Sequence, residues 1–256
     1  MMLLAKKSQQ YYRHMPQHLW PSTGCLKVEC NVLKVSGHLI KMPGELRKLL
    51  SIAEEVHKKC KPVIVVPGGS IFADAVLETQ RQAGFSNDVA HWMAIKSMEV
   101  YGVFIALHSN VGIEVENLED IEKIIEKGFL PIVLPYKILK QFDELPHSWD
   151  VTSDSIAVLI AGKLGCKRVF LAKLVNGISD KHNLIVKEIN SETLDSMHQS
   201  VVDKYMAKAI EKYGVEVIIF NALKPERLKE LVCKGFMETT EYTVIKPMTT
   251  KYCNES

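Results

Sequence analysis

Three groups of residues in this chain have the types and spacing to handle an anion. Lys34 lies within an apolar run at 32–35 and is followed at once by Ser36-Gly37-His38. Pro67-Gly68-Gly69-Ser70 closes a second apolar run and leads into a helical pattern. Asp154 sits in Asp150-Val151-Thr152-Ser153-Asp154-Ser155-Ile156-Ala157, at the start of a strongly apolar helical stretch. A lysine supplies a point charge, glycines let backbone N–H groups approach phosphate oxygens, and a helix N-terminus adds a favourable field. Each group also has a plainer reading. Gly-Gly turns often serve only a positive φ, Thr152 or Ser153 can merely cap a helix, and an acidic residue suits any first helical turn.

Other phosphate and hydrolase chemistries are missing. The chain has no G-x-x-x-x-G-K-[ST] loop and no complete G-x-G-x-x-G, so neither a P-loop nor a dinucleotide site is expected. Protein-kinase signatures, a G-x-S-x-G elbow and H-E-x-x-H are absent too.

The elements that must position these residues alternate. Short β-branched runs at 32–35, 62–66, 103–107, 130–134, 168–174, 215–220 and 243–246 read as strands. Residues 184–189 read as a hairpin or edge strand. Helical spacing marks 45–60, 71–83, a stretch from Ser86-Asn87-Asp88 to about Tyr101, 118–126, 154–165, 201–213 and 225–234. This alternation predicts an α/β fold, a three-layer αβα sandwich around an open, mostly parallel sheet. Ligands of such sheets bind outside the carboxyl ends of the strands, which is where Lys34, Gly69 and the loop before Asp154 fall.

The 256 residues, 47% hydrophobic and 24% charged, carry no internal repeat or long linker. They predict one domain over residues 26–256, preceded by an extension at 1–25. A net charge of +2 gives no reason to expect a nucleic-acid or membrane partner. The amino terminus lacks a signal-length apolar segment, and no stretch is long enough to span a bilayer. Six cysteines, scattered without a C-x-x-C pair, predict free thiols in a reducing compartment and no structural zinc. A cytoplasmic protein is therefore expected.

The three groups, in this order, resemble the amino acid kinase superfamily from about Leu26 to Pro247. Lys34-Val35-Ser36-Gly37 resembles its Lys-x-Gly-Gly strand end, with serine as in uridylate kinases, and Gly68-Gly69 its second glycine loop. Ser153-Asp154-Ser155-Ile156-Ala157 is similar to its Ser/Thr-Asp-x-x-Ala helix start. Leu171-Ala172-Lys173-Leu174-Val175-Asn176-Gly177-Ile178 is similar to its nucleotide-side loop, with Lys173 and Asn176 where acidic residues usually stand. Tyr242-Thr243-Val244-Ile245 replaces the usual Gly-Thr-x-Ile. Pro67 to Val76, followed by Ala90-His91-Trp92-Met93-Ala94, resembles the kinases of methanofuran biosynthesis, which phosphorylate [5-(aminomethyl)furan-3-yl]methyl phosphate with ATP.

The resemblance implies an ATP-dependent small-molecule kinase, with Mg2+ arriving on ATP and not held directly, and a homo-oligomer. It makes Lys34 the contact to the transferring phosphoryl group, with Asp154 orienting Lys34 or reaching magnesium through water. Ser36, Gly37, Gly68, Gly69 and Ser70 would bind phosphate. Lys173, Val175, Asn176 and Gly177 would bind nucleotide, and Lys173, or else Lys204 or Lys208, would substitute for the second active-site lysine of classical members. Phe72, Asp74, Asp88, His91 and Ser153 would border the acceptor: Asp74 or Asp88 could pair with an aminomethyl cation, and Phe72 or Trp92 could pack on a furan ring. Phe72 and Trp92 equally suit a core, and Asp88 a helix cap. A uridylate kinase, or a non-catalytic binding protein on the same fold, are the alternative readings.

Overall fold

The computed structural model describes residues 29–235 and 241–248, so the extension expected at 1–25 lies outside the described residues. One eight-stranded sheet runs through them, built from β1 (Asn31–Val35), β2 (Val63–Pro67), β3 (Gly112–Val115), β4 (Leu130–Val133), β5 (Arg168–Lys173), β6 (Glu188–Asn190), β7 (Glu216–Asn221) and β8 (Tyr242–Lys246). Their order is β3-β4-β2-β1-β5-β7-β8-β6, and only the β7–β8 pairing is antiparallel. The helices are α1 (Pro43–Lys59), α2 (Ser70–Ala83), α3 (Asn87–His108), α4 (Ile121–Glu126), α5 (Pro135–Gln141), α6 (Ser153–Leu164), α7 (Ser191–Ser196), α8 (Met206–Tyr213) and α9 (Glu226–Lys229). A 3-10 turn at Gly37–Lys41 follows β1, and residues Glu230–Lys234 continue α9 as a π-helical turn.

The period of two along the strands divides the core. Val32, Val66, Val169, Leu171 and Ile219 face one apolar cluster, whereas Leu33, Val35, Val65, Phe170 and Ile218 face the other. The first cluster holds α6, whose residues 154–161 are all buried. The second holds α1 through Leu46, Leu49, Leu50, Ala53 and Val56. The expected three-layer arrangement is therefore present.

Four features differ from the sequence reading, the first being strand β3 (Gly112–Val115), which falls in a stretch read as neither strand nor helix. Residues 103–107 are not a strand but the last turns of the 22-residue α3. Ile95, Met98, Tyr101 and Ile105 are buried at helical spacing along it, so the helix keeps its register through a run that looks like β on composition alone. Helix 201–213 shortens to Met206–Tyr213, because Asp203 is drawn to the start of α6 instead. The four cysteines among the described residues are not free thiols. Cys30 pairs with Cys166 and Cys60 with Cys233 as disulfides, which corrects the free-thiol expectation at these four positions. Cys30 stands one residue and Cys166 two residues before the neighbouring strands β1 and β5, a proximity that only strand pairing creates. No described helix is long and apolar enough to cross a membrane.

Candidate active site

The sheet turns back on itself at β1. The chain leaves β1 for β2 on one side and returns to its other side as β5, so β1 and β5 open a crevice at their carboxyl ends. Lys34 and Lys173 lie near those two ends, and both side chains point to the face that α6 covers, as their even spacing from Val32 and Leu171 requires. Asp154, the second residue of α6, meets them there. Its Oδ1 lies 2.8 Å from Lys34 Nζ, and its Oδ2 accepts a hydrogen bond from Lys173 Nζ. The Lys34 contact is electrostatic, lying off the hydrogen-bonding direction of Oδ1. All three side chains are largely buried, with 7%, 17% and 4% of the side-chain surface exposed for Lys34, Lys173 and Asp154.

Two cations share one anion, so the trio carries a net positive charge. Burial opposes ionisation of Asp154, but the charges of Lys34 and Lys173 outweigh it and hold the carboxyl below its usual range. Burial, then repulsion from Lys34, pulls Lys173 below the ordinary lysine value, against the attraction of Asp154. A phosphoryl group in transit carries the negative charge that such a trio lacks.

Above the lysines, two loops meet backbone to backbone. A Cβ on Gly37 would stand 2.3 Å from Ser70 N, and one on Gly68 would stand 2.7 Å from Gly37 N. Only glycine permits that approach. Ser70 adopts φ 58 although it is not glycine, and its Oγ is buried without a hydrogen-bond partner. A strained residue with an unsatisfied hydroxyl at the N-terminus of α2 fits a phosphate oxygen.

Lys34, Lys173 and the cradle residues Gly37, Gly69 and Ser70 line one cavity of about 640 Å3, with Asp74, His91, Trp149, Ser153 and Val175 also on its walls. A second, of about 450 Å3, adjoins it through Leu174, Val175, Ser200 and Val201, and is lined further by Asn176, Gly177 and Asn221. Asn221 Nδ2 donates to Asn176 Oδ1 over 3.0 Å across this second hollow.

Residues 29–233 match the amino acid kinase family, which is about four-fifths of the chain. This chain belongs to the amino acid kinase family. It is 29% identical to the [5-(aminomethyl)furan-3-yl]methyl phosphate kinase of Methanocaldococcus jannaschii, over 76% of this chain and 92% of that protein. It is 24% identical to the acetylglutamate kinase of Shewanella pealeana, over 70% of this chain and 80% of that one. Among solved structures, the uridylate kinase of Archaeoglobus fulgidus superposes with a TM-score of 0.65 at 18% identity, covering 85% of this chain and 99% of that one, which speaks to the fold.

In this member of the family the residues expected to serve the acceptor separate. Asp74, His91 and Ser153 line the larger cavity. Phe72 does not; it packs against the apolar cluster beneath α1. Asp88 also stays off the cavity wall, with its Oδ1 2.7 Å from His147 Nδ1. Trp92 packs into the α6 side of the core, with Lys140 Nζ 3.4 Å from its ring centre. His91 stacks on His147, and burial, followed by the proximity of His147, holds its pKa down to about 4. Of the nucleotide-side group, Lys173 joins the trio, while Val175, Asn176 and Gly177 line the second hollow.

Three residues escaped the sequence reading. Asp203 accepts from Thr152 N, Thr152 Oγ1 and Ser155 N through Oδ2, and from Ser155 Oγ through Oδ1. It anchors the first turn of α6, and so the backbone that presents Asp154. Burial, then the negative charge of Asp154, raises its pKa. Tyr101, from α3, donates its phenol to Ser36 O over 3.0 Å and holds the first glycine loop in place. Thr243 Oγ1 accepts from Ile178 N and donates to Val186 O, pinning the loop that bears Asn176 and Gly177. Asp203 and Tyr101 lie in no recognisable local motif, and Thr243 lies in the Tyr242–Ile245 segment compared above, where its bonding depends on the fold. Each acts from 48 or more residues away in sequence.

Proposed function

We propose that this chain is an ATP-dependent kinase that transfers a phosphoryl group to the phosphate of a small acceptor, [5-(aminomethyl)furan-3-yl]methyl phosphate, in methanofuran biosynthesis. The observation that carries this reading is Asp154 buried between Lys34 and Lys173 beneath the Gly37–Ser70 cradle. Lys34 and Lys173 neutralise the equatorial oxygens of the transferring group, and Asp154 fixes where their ammonium groups sit. The N–H groups of Gly37 and Gly69 and the free hydroxyl of Ser70 supply neutral donors beside them. The second hollow, at Asn176 and Gly177, takes the nucleoside part of ATP.

Magnesium enters on the nucleotide phosphates. Asp154 faces a lysine on each oxygen, so it would reach the ion through water. On the acceptor side, Asp74 is the one carboxylate on the larger cavity's wall among the described residues, and it suits a primary ammonium such as an aminomethyl group.

ADP release with ATP and Mg2+ should be measured against the aminomethylfuran phosphate, UMP, N-acetylglutamate and isopentenyl phosphate. Turnover is expected with the first. Turnover with UMP alone would replace this acceptor with the uridylate reading, and silence across the panel would leave a binding protein on a kinase fold.

A further inference from the structure

A cluster of metal-binding side chains stands beside the acceptor cavity and takes no part in the proposed transfer. His91 comes from the second turn of α3, Asp143 from just beyond α5, and His147 from the loop that leads to α6. Each offers one ligand atom, and all three atoms lie within 4.8 Å of one another. Four-coordinate metals bound at about 2.0–2.2 Å need ligand atoms roughly 3.4 Å apart, so small side-chain rotations close the set.

The hydrogen bonding of His147 is what sets the cluster apart from a packed histidine. Its Nδ1 is 2.7 Å from Asp88 Oδ1, and its Nε2 is 2.8 Å from Asp143 Oδ1. A neutral imidazole has one N–H and cannot donate to both carboxylates. Either the ring carries a second proton, or a metal replaces that proton and bridges Nε2 to Asp143. A carboxylate on the remaining ring nitrogen is the usual way a metal-bound histidine is oriented, and Asp88 stands there. His91 stacks on His147 at 4.2 Å between ring centres and touches Trp92 edge-on, and its ring nitrogens make no hydrogen bond among the described residues. The nearby cation, Lys140, is drawn over the Trp92 ring. The two carboxylates, Asp88 and Asp143, exceed it in charge.

We propose that His91, His147 and Asp143 bind one transition-metal ion of the Zn2+ or Co2+ class, with Asp88 orienting His147 and water in the remaining position. Two nitrogens and one carboxylate select such metals over magnesium, which prefers oxygen ligands throughout. The sequence held no hint of it, because His91 and His147 are 56 residues apart and lack finger-like spacing. The ion would tie α3 to the 142–150 loop, whose Ser148 and Trp149 share the cavity wall with His91. The proposal stands whatever the acceptor proves to be.

The test is a titration of the chelator-treated, nucleotide-free full chain with Co2+ alone, followed by visible d–d absorption, and with Zn2+ alone by calorimetry. One equivalent is expected, with the intense absorption of a four- or five-coordinate site and a rise in melting temperature on Zn2+ addition. Asp88→Asn should weaken binding 10- to 100-fold while keeping the stoichiometry. His147→Gln should abolish the absorption. Should that variant fail to fold, Asp143→Asn, which alters a half-exposed side chain, serves the same purpose. Absence of d–d absorption in the wild type, or unchanged Co2+ binding in Asp143→Asn, would overturn the site and leave a doubly hydrogen-bonded imidazolium.

Discussion

Asp154 is the residue on which the site's charge turns, since one carboxylate holds two ammonium groups in a place water scarcely reaches. Replacing Lys34 or Lys173 by Met leaves a neutral pair and should cost about 10^2- to 10^3-fold in kcat, the scale for one transition-state donor. Circular dichroism should show the fold intact. Near-normal turnover in Lys34→Met would remove that lysine from the chemistry. Asp154→Ala differs, because it leaves two buried cations without a counter-charge. It should lower stability by about 3–5 kcal/mol as well as stopping turnover, and a melting temperature equal to wild type would contradict the pairing. The depressed pKa of Lys173 has a sign that activity can report. Its charge is lost at a lower pH than an ordinary lysine's, so kcat/KM, which reports the free enzyme, should fall on an alkaline limb below the usual lysine range. In Lys173→Arg that limb should move upward, since guanidinium stays charged. An unmoved limb would assign the titration to another group. At the acceptor, Asp74→Asn should raise the KM of an ammonium-bearing acceptor while sparing that of ATP, and an unchanged KM would withdraw the pairing.

Among the elements, the two glycine loops are the tightest joint. Gly37→Ala drives a methyl group into the backbone of Ser70, which cannot yield as a side-chain tip would. Overpacking of this kind costs about 1–3 kcal/mol and displaces the donors of the cradle, so both melting temperature and kcat/KM should drop. Gly44, in the first turn of α1, has nothing within 4 Å of an added Cβ and serves as the control. Gly44→Ala should be neutral or slightly stabilising, by up to about 1 kcal/mol, since alanine suits a helix better. Equal effects of the two substitutions would refute the close approach. Helix α3 shows how elements mislead when read singly. Val103 and Leu107 are exposed, and residues 103–107 resemble a strand until the buried positions Ile95, Met98, Tyr101 and Ile105 are seen to lie on one side of a single helix.

At the scale of the whole molecule, two disulfides among the described residues fasten the first half of the chain to the second. Cys30–Cys166 joins the amino ends of β1 and β5, and Cys60–Cys233 joins the end of α1 to the π-helical turn beyond α9. They span 136 and 173 residues of sequence, for which chain entropy gives roughly 5 kcal/mol each as an upper scale. Reduction, or the paired change of Cys30 and Cys166 to Ser, should therefore lower the melting temperature by on the order of 10 °C. The Cys30–Cys166 bond lies at the opposite end of β1 and β5 from Lys34 and Lys173, so kcat measured well below the melt should persist. A melting temperature indifferent to reductant would show that these thiols are not joined in solution.

The sequence by itself determined the α/β class, the strand carrying Lys34, the glycine loops and the helix start bearing Asp154, because these follow from local periodicity and turn chemistry. It also supplied the likeness to amino acid kinases through residues that lie close together in each motif. Only the tertiary structure decided that Lys173 shares Asp154 with Lys34, because that depends on β5 lying beside β1 and on both lysines facing α6. It also decided that Phe72 belongs to the core and not the cavity, that Asp203, Tyr101 and Thr243 brace the site from afar, and that four of the cysteines are paired. Those facts rest on contacts between segments far apart in the chain, and such contacts leave no periodic trace in either segment.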